Sequence, residues 1–351
     1  MKFPNVVTVA QLVEFDEVID VRSPSEFAED HVPGAVNCPV LDDAERAMIG
    51  TLYKQVSPFD AKKRGAALVA KNIARHVEGA FAAHGRGWRP LVYCWRGGKR
   101  SGAMAHILAE IGWHAAQLEG GYRAYRREIL AQLAELPRKF RCRVVCGATG
   151  SAKSRLLQAL ASAGAQVLDL EDLASHRGSV LGNLPETAQP AQKMFDSLVW
   201  DTLRKFDPHR IVYVEAESKK IGQLQVPDAL LAHMRASPCV LIEAPLAQRV
   251  AFLLREYGHF LGDPQDLKAK LDCLAGLHSK DTVARWMGLV EHRQWDELVA
   301  DLLQNHYDPA YRRATLKNFE HLANAQVLRP AKLDAASLAQ MAARLIAGEQ
   351  P

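Results

Sequence analysis

The sequence predicts an α/β protein: a parallel-sheet domain, then a second parallel-sheet domain with a helical C-terminal part. Three observations carry this. Short apolar runs at residues 17–21, 90–94, 143–146, 209–214 and 239–243 alternate with stretches of helical spacing, the grammar of strands crossed over by helices. That grammar stops at Leu136-Pro137 and the basic connector 138–143, then restarts. The length, 351 residues with 48% hydrophobic and 24% charged, suits two domains of ~100–200 residues and excludes a disordered or fibrous chain.

Taken in order, residues 17–21 form a strand entering Ser23-Pro24, where a capping serine, a first-turn proline and Glu26 mark a helix start. A helix follows over 65–84. Residues 90–94 (Pro-Leu-Val-Tyr-Cys) form a buried strand, Gly97-Gly98 a tight loop and 101–111 a helix. Beyond the connector come a strand over 143–146, a glycine loop, a helix over 153–163 and a strand over 166–170. Residues 209–214 and 239–243 are two further buried strands. After Pro245 the pattern is helical through Leu303, with Trp286 and Trp295 at packing positions, and an amphipathic helix over 334–347 closes the fold. The expected domains are 1–136, 137–245 and a helical extension, 246–351.

The formal charge of +4 is too small to announce a nucleic-acid partner, but its distribution is uneven. Between residues 96 and 143 ten Lys and Arg face four Glu. Six cysteines, at 38, 94, 142, 146, 239 and 273, show no zinc-ligand spacing, so no structural metal is expected. With no secretory leader and no apolar run near the ~20 residues of a membrane span, the chain is expected to be cytoplasmic, with reduced thiols and no membrane partner.

Cys94 ends the strand over 90–94 and opens the loop Trp95, Arg96, Gly97, Gly98, Lys99, Arg100. Two glycines let such a loop turn backbone N–H groups toward the sulfur. The next helix points its positive end there, and three cations add charge. All favour thiolate over thiol and create a cradle for a tetrahedral oxyanion. The spacing alone fits a cysteine phosphatase as well as a sulfur carrier. Cys38, Cys142, Cys146, Cys239 and Cys273 lack this setting and are expected to be packing thiols.

Gly147-Ala148-Thr149-Gly150-Ser151-Ala152-Lys153-Ser154 follows a strand, opens a helix and fits the phosphate-loop pattern, except that Ala152 replaces the second glycine. Backbone N–H groups from Gly147 through Ser154 and the helix N-terminus would hold phosphates. Lys153 would supply a charge, and Ser154 a ligand for Mg²⁺. Ala152 is harmless at negative φ and strained at positive φ. Glu215, after the strand 211–214, is a candidate for the metal's coordination sphere, with Asp169 and Glu171 as weaker ones. His176 and Arg177 lie in a loop, where Arg177 can meet an anion.

Asp20-Val21-Arg22-Ser23-Pro24-Ser25-Glu26-Phe27 and His31-Val32-Pro33-Gly34-Ala35-Val36-Asn37 resemble the opening of a rhodanese domain, and Gly120-Gly121-Tyr122 its closing turn. That resemblance implies that Cys94 carries sulfur or selenium. The glycine loop makes the second domain resemble the P-loop NTPases. Residues 94–101, 120–127, 147–154, 168–182, 189–196, 214–222 and 306–311 together resemble the tRNA 2-selenouridine synthase family across roughly residues 18–311.

The family resemblance implies replacement of sulfur by selenium in 2-thiouridine at the tRNA wobble position. It also implies selenophosphate as donor, an S-geranyl intermediate made from geranyl diphosphate, and a selenophosphate-supplying enzyme as partner. In that scheme Cys94 takes up selenium and the phosphate loop binds the diphosphate. Arg123, Arg126 and Arg127, with Tyr122 and Tyr125 interleaved, are candidate tRNA contacts, as are His176 and Arg177; the alternative is a solvated helix face with the tyrosines packed inward. Apart from the resemblance, two other classes fit: a phosphate-loop kinase or NTPase with a fused thiol sensor, and a non-catalytic tRNA-binding scaffold.

Overall fold

The computed structural model describes residues 5–178, 187–258 and 264–348. Its residues fall into two compact units, one of Met1–Leu133 with Pro190–Asp201 and one of Ala134–Gln189 with Thr202–Pro351.

The first unit is built on a five-stranded parallel sheet: β1 (Asn5–Val7), β2 (Glu17–Asp20), β3 (Val36–Asn37), β4 (Pro90–Tyr93) and β5 (Ala116–Leu118). The strand order is β1-β5-β4-β2-β3, so β4 is central, and all four of its residues are buried. An unbroken apolar strand is what a sheet covered on both faces requires. Ile19, Val92, Met104 and Leu108, none with accessible surface, pack at the centre of one core.

Ser23 caps the helix Pro24–Glu29, and its backbone N–H donates to Glu26 Oε2 at 3.3 Å, as the serine, proline and acid suggest. The helix expected over 65–84 instead runs Pro58–Glu78, because Ser57 caps it and accepts from the Asp60 N–H at 3.2 Å. A preceding helix, Asp43–Gln55, was not expected. The helix Gln192–Leu203 carries residues of this unit: Ser197 Oγ donates to Asp30 Oδ1 at 2.8 Å and Trp200 Nε1 to Gln132 Oε1 at 2.7 Å.

In the second unit β6 (Arg141–Gly147), β7 (Gln166–Leu168), β8 (Ile211–Glu215), β11 (Cys239–Ile242) and β12 (Gln326–Leu328) form a parallel sheet of order β12-β11-β6-β8-β7. A small antiparallel pair, β9 (Lys220–Ile221) and β10 (Leu224–Gln225), lies apart from it. The central β6 leads through the glycine loop into the helix Lys153–Ser162. Leu156, Leu157 and Leu160 of that helix share a core with Val145, Tyr213 and Val240.

The amphipathic helix expected near the C-terminus is Ala335–Ala347, capped by Asp334, and it adds Leu338, Met341 and Leu345 to the same core. The helical stretch after Pro245 resolves into Leu246–Glu256, Pro264–Asp272, Lys280–Glu291 and Trp295–Leu302. The last three enclose a second core around the fully buried Trp286, whose indole N–H donates to Asp301 Oδ2 at 2.5 Å.

Candidate active sites

Cys94 stands just past β4, 4% exposed, at the start of the loop that leads into the helix Lys99–Ile111. Its sulfur accepts hydrogen bonds from the Gly98 N–H at 3.3 Å and the Ser101 hydroxyl at 3.1 Å. Burial works against ionisation, yet the Ser101 hydrogen bonds, the Arg100 charge and the Arg96 backbone hold the thiol below its ordinary pKa. Burial without such donors pushes Cys38 and Cys142 up to about 12. The thiolate is therefore favoured by local construction rather than by exposure.

The loop is fixed from behind. Gln117 donates to the carbonyls of Gly97 (2.7 Å) and Gly98 (3.0 Å) and to Ser101 Oγ (2.8 Å), which frees the serine proton for the sulfur. Gly121, at φ +56°, lies so near that a Cβ would come 2.2 Å from the Cys94 carbonyl oxygen. That carbonyl accepts from the Tyr122 N–H at 2.8 Å. The closing Gly-Gly turn is thus the floor of the cysteine loop. Ser101 and Gln117 had no assigned role in the sequence reading. Ser101 in the helix's first turn was the available signal, whereas nothing in the spacing marks Gln117.

In the second unit Lys153 Nζ donates to the Gly147 carbonyl at 3.1 Å, across the mouth of the glycine loop. Ala152 adopts φ +65°, the left-handed region that costs a non-glycine residue about 1–2 kcal/mol. The loop keeps its shape despite the alanine because its methyl is buried in the core with Leu156 and Phe252.

Ser154 Oγ donates to Glu171 Oε2 at 2.9 Å and contacts Glu215 Oε2 at 3.3 Å. Glu171, Glu215 and Glu217 bring carboxylate oxygens within 4.8 Å of one another, and Glu215 Oε1 is buried with no hydrogen-bond partner. Burial and mutual repulsion raise all three, Glu215 well above the ordinary range and Glu217 up to about 8. Three carboxylates and a hydroxyl are hard oxygen donors, and a divalent cation such as Mg²⁺ matches them. Glu217, which the sequence reading passed over, joins Glu171 and Glu215. Asp169 caps the short helix Leu170–Leu173, accepting from the Asp172 N–H at 2.9 Å, and lines the same cavity as Glu171 and Glu217.

These groups open onto a cavity of about 630 Å³. Its lining includes Thr149, Gly150, Lys153, Ser154, Glu171 and Glu217 together with the apolar and aromatic Phe252, Leu253, Tyr257, Tyr307 and Phe319. His176 and Arg177 line it as well. Arg177 donates to the Glu256 carbonyl at 3.1 Å with its guanidinium 4.8 Å from the Tyr257 ring centre, and His176 Nδ1 accepts from the Gly178 N–H. The part of the 168–182 motif beyond Gly178 lies outside the described residues.

Tyr122 and Tyr125 are turned inward, the alternative to base stacking. Tyr122 is 4% exposed and Tyr125 fully buried, and the Tyr122 hydroxyl donates to Asp30 Oδ2 at 2.7 Å. Arg126 is paired with Asp196 and donates to the Lys193 carbonyl at 2.8 Å. In an amphipathic helix, aromatic residues three apart share one face, and here that face is the core. Arg123 and Arg127 are exposed.

Comparison with known proteins gives this architecture its relatives. A rhodanese-like domain profile matches residues 6–128, and a profile described as the tRNA 2-selenouridine synthase AAA domain matches 140–277. The protein from Alcanivorax borkumensis named tRNA 2-selenouridine synthase is 33% identical over 329 residues, 84% of this chain and 88% of its own. The chain belongs to the tRNA 2-selenouridine synthase family. Two further proteins of that name, from Nitrosomonas europaea and Sulfurovum sp., are 34% and 36% identical over 68% of this chain. The matched stretches span 63% and 65% of their own lengths. Membership assigns Cys94 to the rhodanese-like part and the glycine loop to the part typical of the family. Among the described residues no helix is long and apolar enough to cross a membrane.

Proposed function

We propose that this chain is a tRNA-modifying enzyme of the cytoplasm that exchanges the sulfur of wobble 2-thiouridine for selenium, with selenophosphate as donor and geranyl diphosphate as co-substrate. The observation that carries the reading is the mixed lining of the cavity in the second unit, which combines phosphate-loop residues and acidic groups with aromatic and aliphatic side chains. A prenyl diphosphate has that same combination, a doubly charged head and a hydrocarbon tail.

In the first step the 2-thio sulfur attacks the first carbon of the geranyl chain. The C–S bond forms, the C–O bond breaks, and diphosphate leaves with the bonding pair. Lys153 and the loop N–H groups stabilise the departing charge, which grows only as the bond breaks. Ser154, Glu171, Glu215 and Glu217 would hold Mg²⁺, which supplies further neutralisation of the diphosphate when bound. Alkylation turns the sulfur into a thiol leaving group. In the second step selenium reaches C2, the C–Se bond forms, the C–S bond breaks and geranylthiol departs. Cys94, kept ionised by Gly98 and Ser101, would attack the phosphorus of selenophosphate, so that the S–P bond forms, the P–Se bond breaks and selenide leaves with the bonding pair to attack C2; water then cleaves the S–P bond, releasing phosphate and restoring the thiol.

The test is mass spectrometry of a 2-thiouridine tRNA incubated with the protein, geranyl diphosphate and selenophosphate, each omitted in turn. Cys94→Ser should stop selenation and spare geranylation, while Lys153→Ala should stop geranylation. Selenouridine formed at the normal rate by Cys94→Ser, or geranyl transfer retained by Lys153→Ala, overturns the assignment. ATP turnover without tRNA would favour a kinase or NTPase instead.

A further inference from the structure

The cation-and-aromatic pattern sought around residues 122–127 occurs elsewhere in the first unit. The helices Asp43–Gln55 and Pro58–Glu78 meet in a turn of only Val56 and Ser57, whose N–H groups both return to the Leu52 carbonyl. At this tip Tyr53 is 52%, Val56 73% and Phe59 72% exposed. Three large apolar side chains within seven residues stand in water, where burial would gain about 25 cal/mol per Å². Grouped exposure of this kind marks a contact surface.

Around them lie Lys54, Lys62, Lys63 and Arg64, all exposed, against the single carboxylate of Asp60. The Lys63 ammonium lies 5.9 Å from the Phe59 ring centre. Two flat rings framed by cations need a partner that is at once anionic and planar. Looped RNA offers both, with phosphates for the ammonium and guanidinium groups and unstacked base faces for the rings. A second copy of the chain would bring two such positive tips together and is disfavoured by charge.

We propose that the tip of this helical hairpin is an RNA-docking surface that grips unpaired loop nucleotides of the tRNA substrate. Phe59 and Tyr53 stack on bases, while Lys62, Lys63 and Arg64 contact the flanking phosphates. The proposal rests on the tRNA reading given above and adds to it where the RNA is held.

The experiment measures tRNA affinity of the full chain by fluorescence anisotropy at several salt concentrations, with thermal unfolding as a check on folding. Tyr53→Ala with Phe59→Ala should raise Kd about tenfold with the salt slope unchanged, since stacking releases no counterions. Lys62→Gln, Lys63→Gln and Arg64→Gln together should lower the slope of log K against log salt by about 2, at about 0.7 per single-strand phosphate. Both variants matching the unsubstituted protein in Kd and slope would overturn the surface while leaving the tRNA reading intact. No tRNA binding by the unsubstituted protein would remove both. Loss of binding to anionic lipid vesicles, or of self-association in sedimentation, with tRNA affinity intact would assign the tip to another partner and overturn the proposal.

Discussion

Arg249 donates two hydrogen bonds to the Asp308 carboxylate, at 2.6 and 3.0 Å, while its Nε–H reaches the Thr149 carbonyl of the phosphate loop at 2.8 Å. The arginine is 6% exposed, so the pair is desolvated and the guanidinium has little water to turn to. Three residues past Asp308, in the helix Asp308–Asn318, the Tyr311 hydroxyl accepts from the Gly147 N–H at 2.8 Å. The segment His306-Tyr307-Asp308-Pro309-Ala310-Tyr311 thus holds the first half of the loop, at Gly147 directly and at Thr149 through Arg249.

Asp308→Asn should therefore weaken binding of inorganic diphosphate about tenfold and lower the unfolding temperature, because a buried arginine is left without its counter-charge at a cost of about 3 kcal/mol. Isothermal titration with diphosphate and a thermal melt read the two effects. Tyr311→Phe should weaken binding with a far smaller change in melting. Unchanged affinity in both variants would separate this segment from the loop's function.

Ser101→Ala removes a hydrogen bond that favours the Cys94 thiolate. The alkylation rate of Cys94 by iodoacetamide, followed against pH, should rise with a midpoint below the ~8.5 of a free cysteine. In Ser101→Ala that midpoint should move upward. A profile that does not move would mean the serine proton is not what holds the charge.

Ala152→Gly sets two effects of similar size against each other. Relief of the positive φ gains about 1 kcal/mol, and loss of a buried methyl costs about 0.8 kcal/mol. The melting temperature should stay within about 2 °C of the parent. Ala152→Val adds bulk and β-branching at the same backbone conformation and should lower it by several degrees. Circular dichroism melts of both decide the matter.

Glu217 has a raised pKa, up to about 8 against an ordinary value near 4.5. Between those values the folded chain holds a proton that the unfolded chain has lost, so stability falls as pH rises through this window. With chelator present the melting temperature should drop between pH 5.5 and 8.5, in excess of the drop shown by Glu217→Gln. Mg²⁺ should restore it at the upper end, where Glu217 has lost its proton and the cation supplies the counter-charge. A cation-independent melt at pH 8.5 would count against the carboxylate group as a metal site.

Both chemical sites were legible in the sequence because each is a strand, a glycine-bearing loop and a helix in direct succession. Cys94 and Lys153 are therefore placed by local geometry alone. Gln117, Arg249, Asp308 and Tyr311 act on those loops from 16 to 164 residues away, and no local pattern reports such a contact. Glu217 lies only two residues past Glu215, beyond the end of its strand, where alternation no longer predicts direction. The inward turn of Tyr122 and Tyr125 is the alternative the sequence left beside base stacking: charge points to the helix, and its aromatic face is core. Strand β12 escaped notice because three residues on a sheet edge carry too little pattern to register.

The helix Ala335–Ala347 packs against the helix that begins at Lys153. During synthesis it leaves the ribosome after every other described element of its unit. The phosphate loop therefore waits for its last support while nearly two hundred residues are translated, and its exposed Leu156, Leu157 and Leu160 are open to chaperones in that interval. A premature stop before residue 335 would remove a wall of that core and leave a chain with an intact thiol loop and an unsupported anion site.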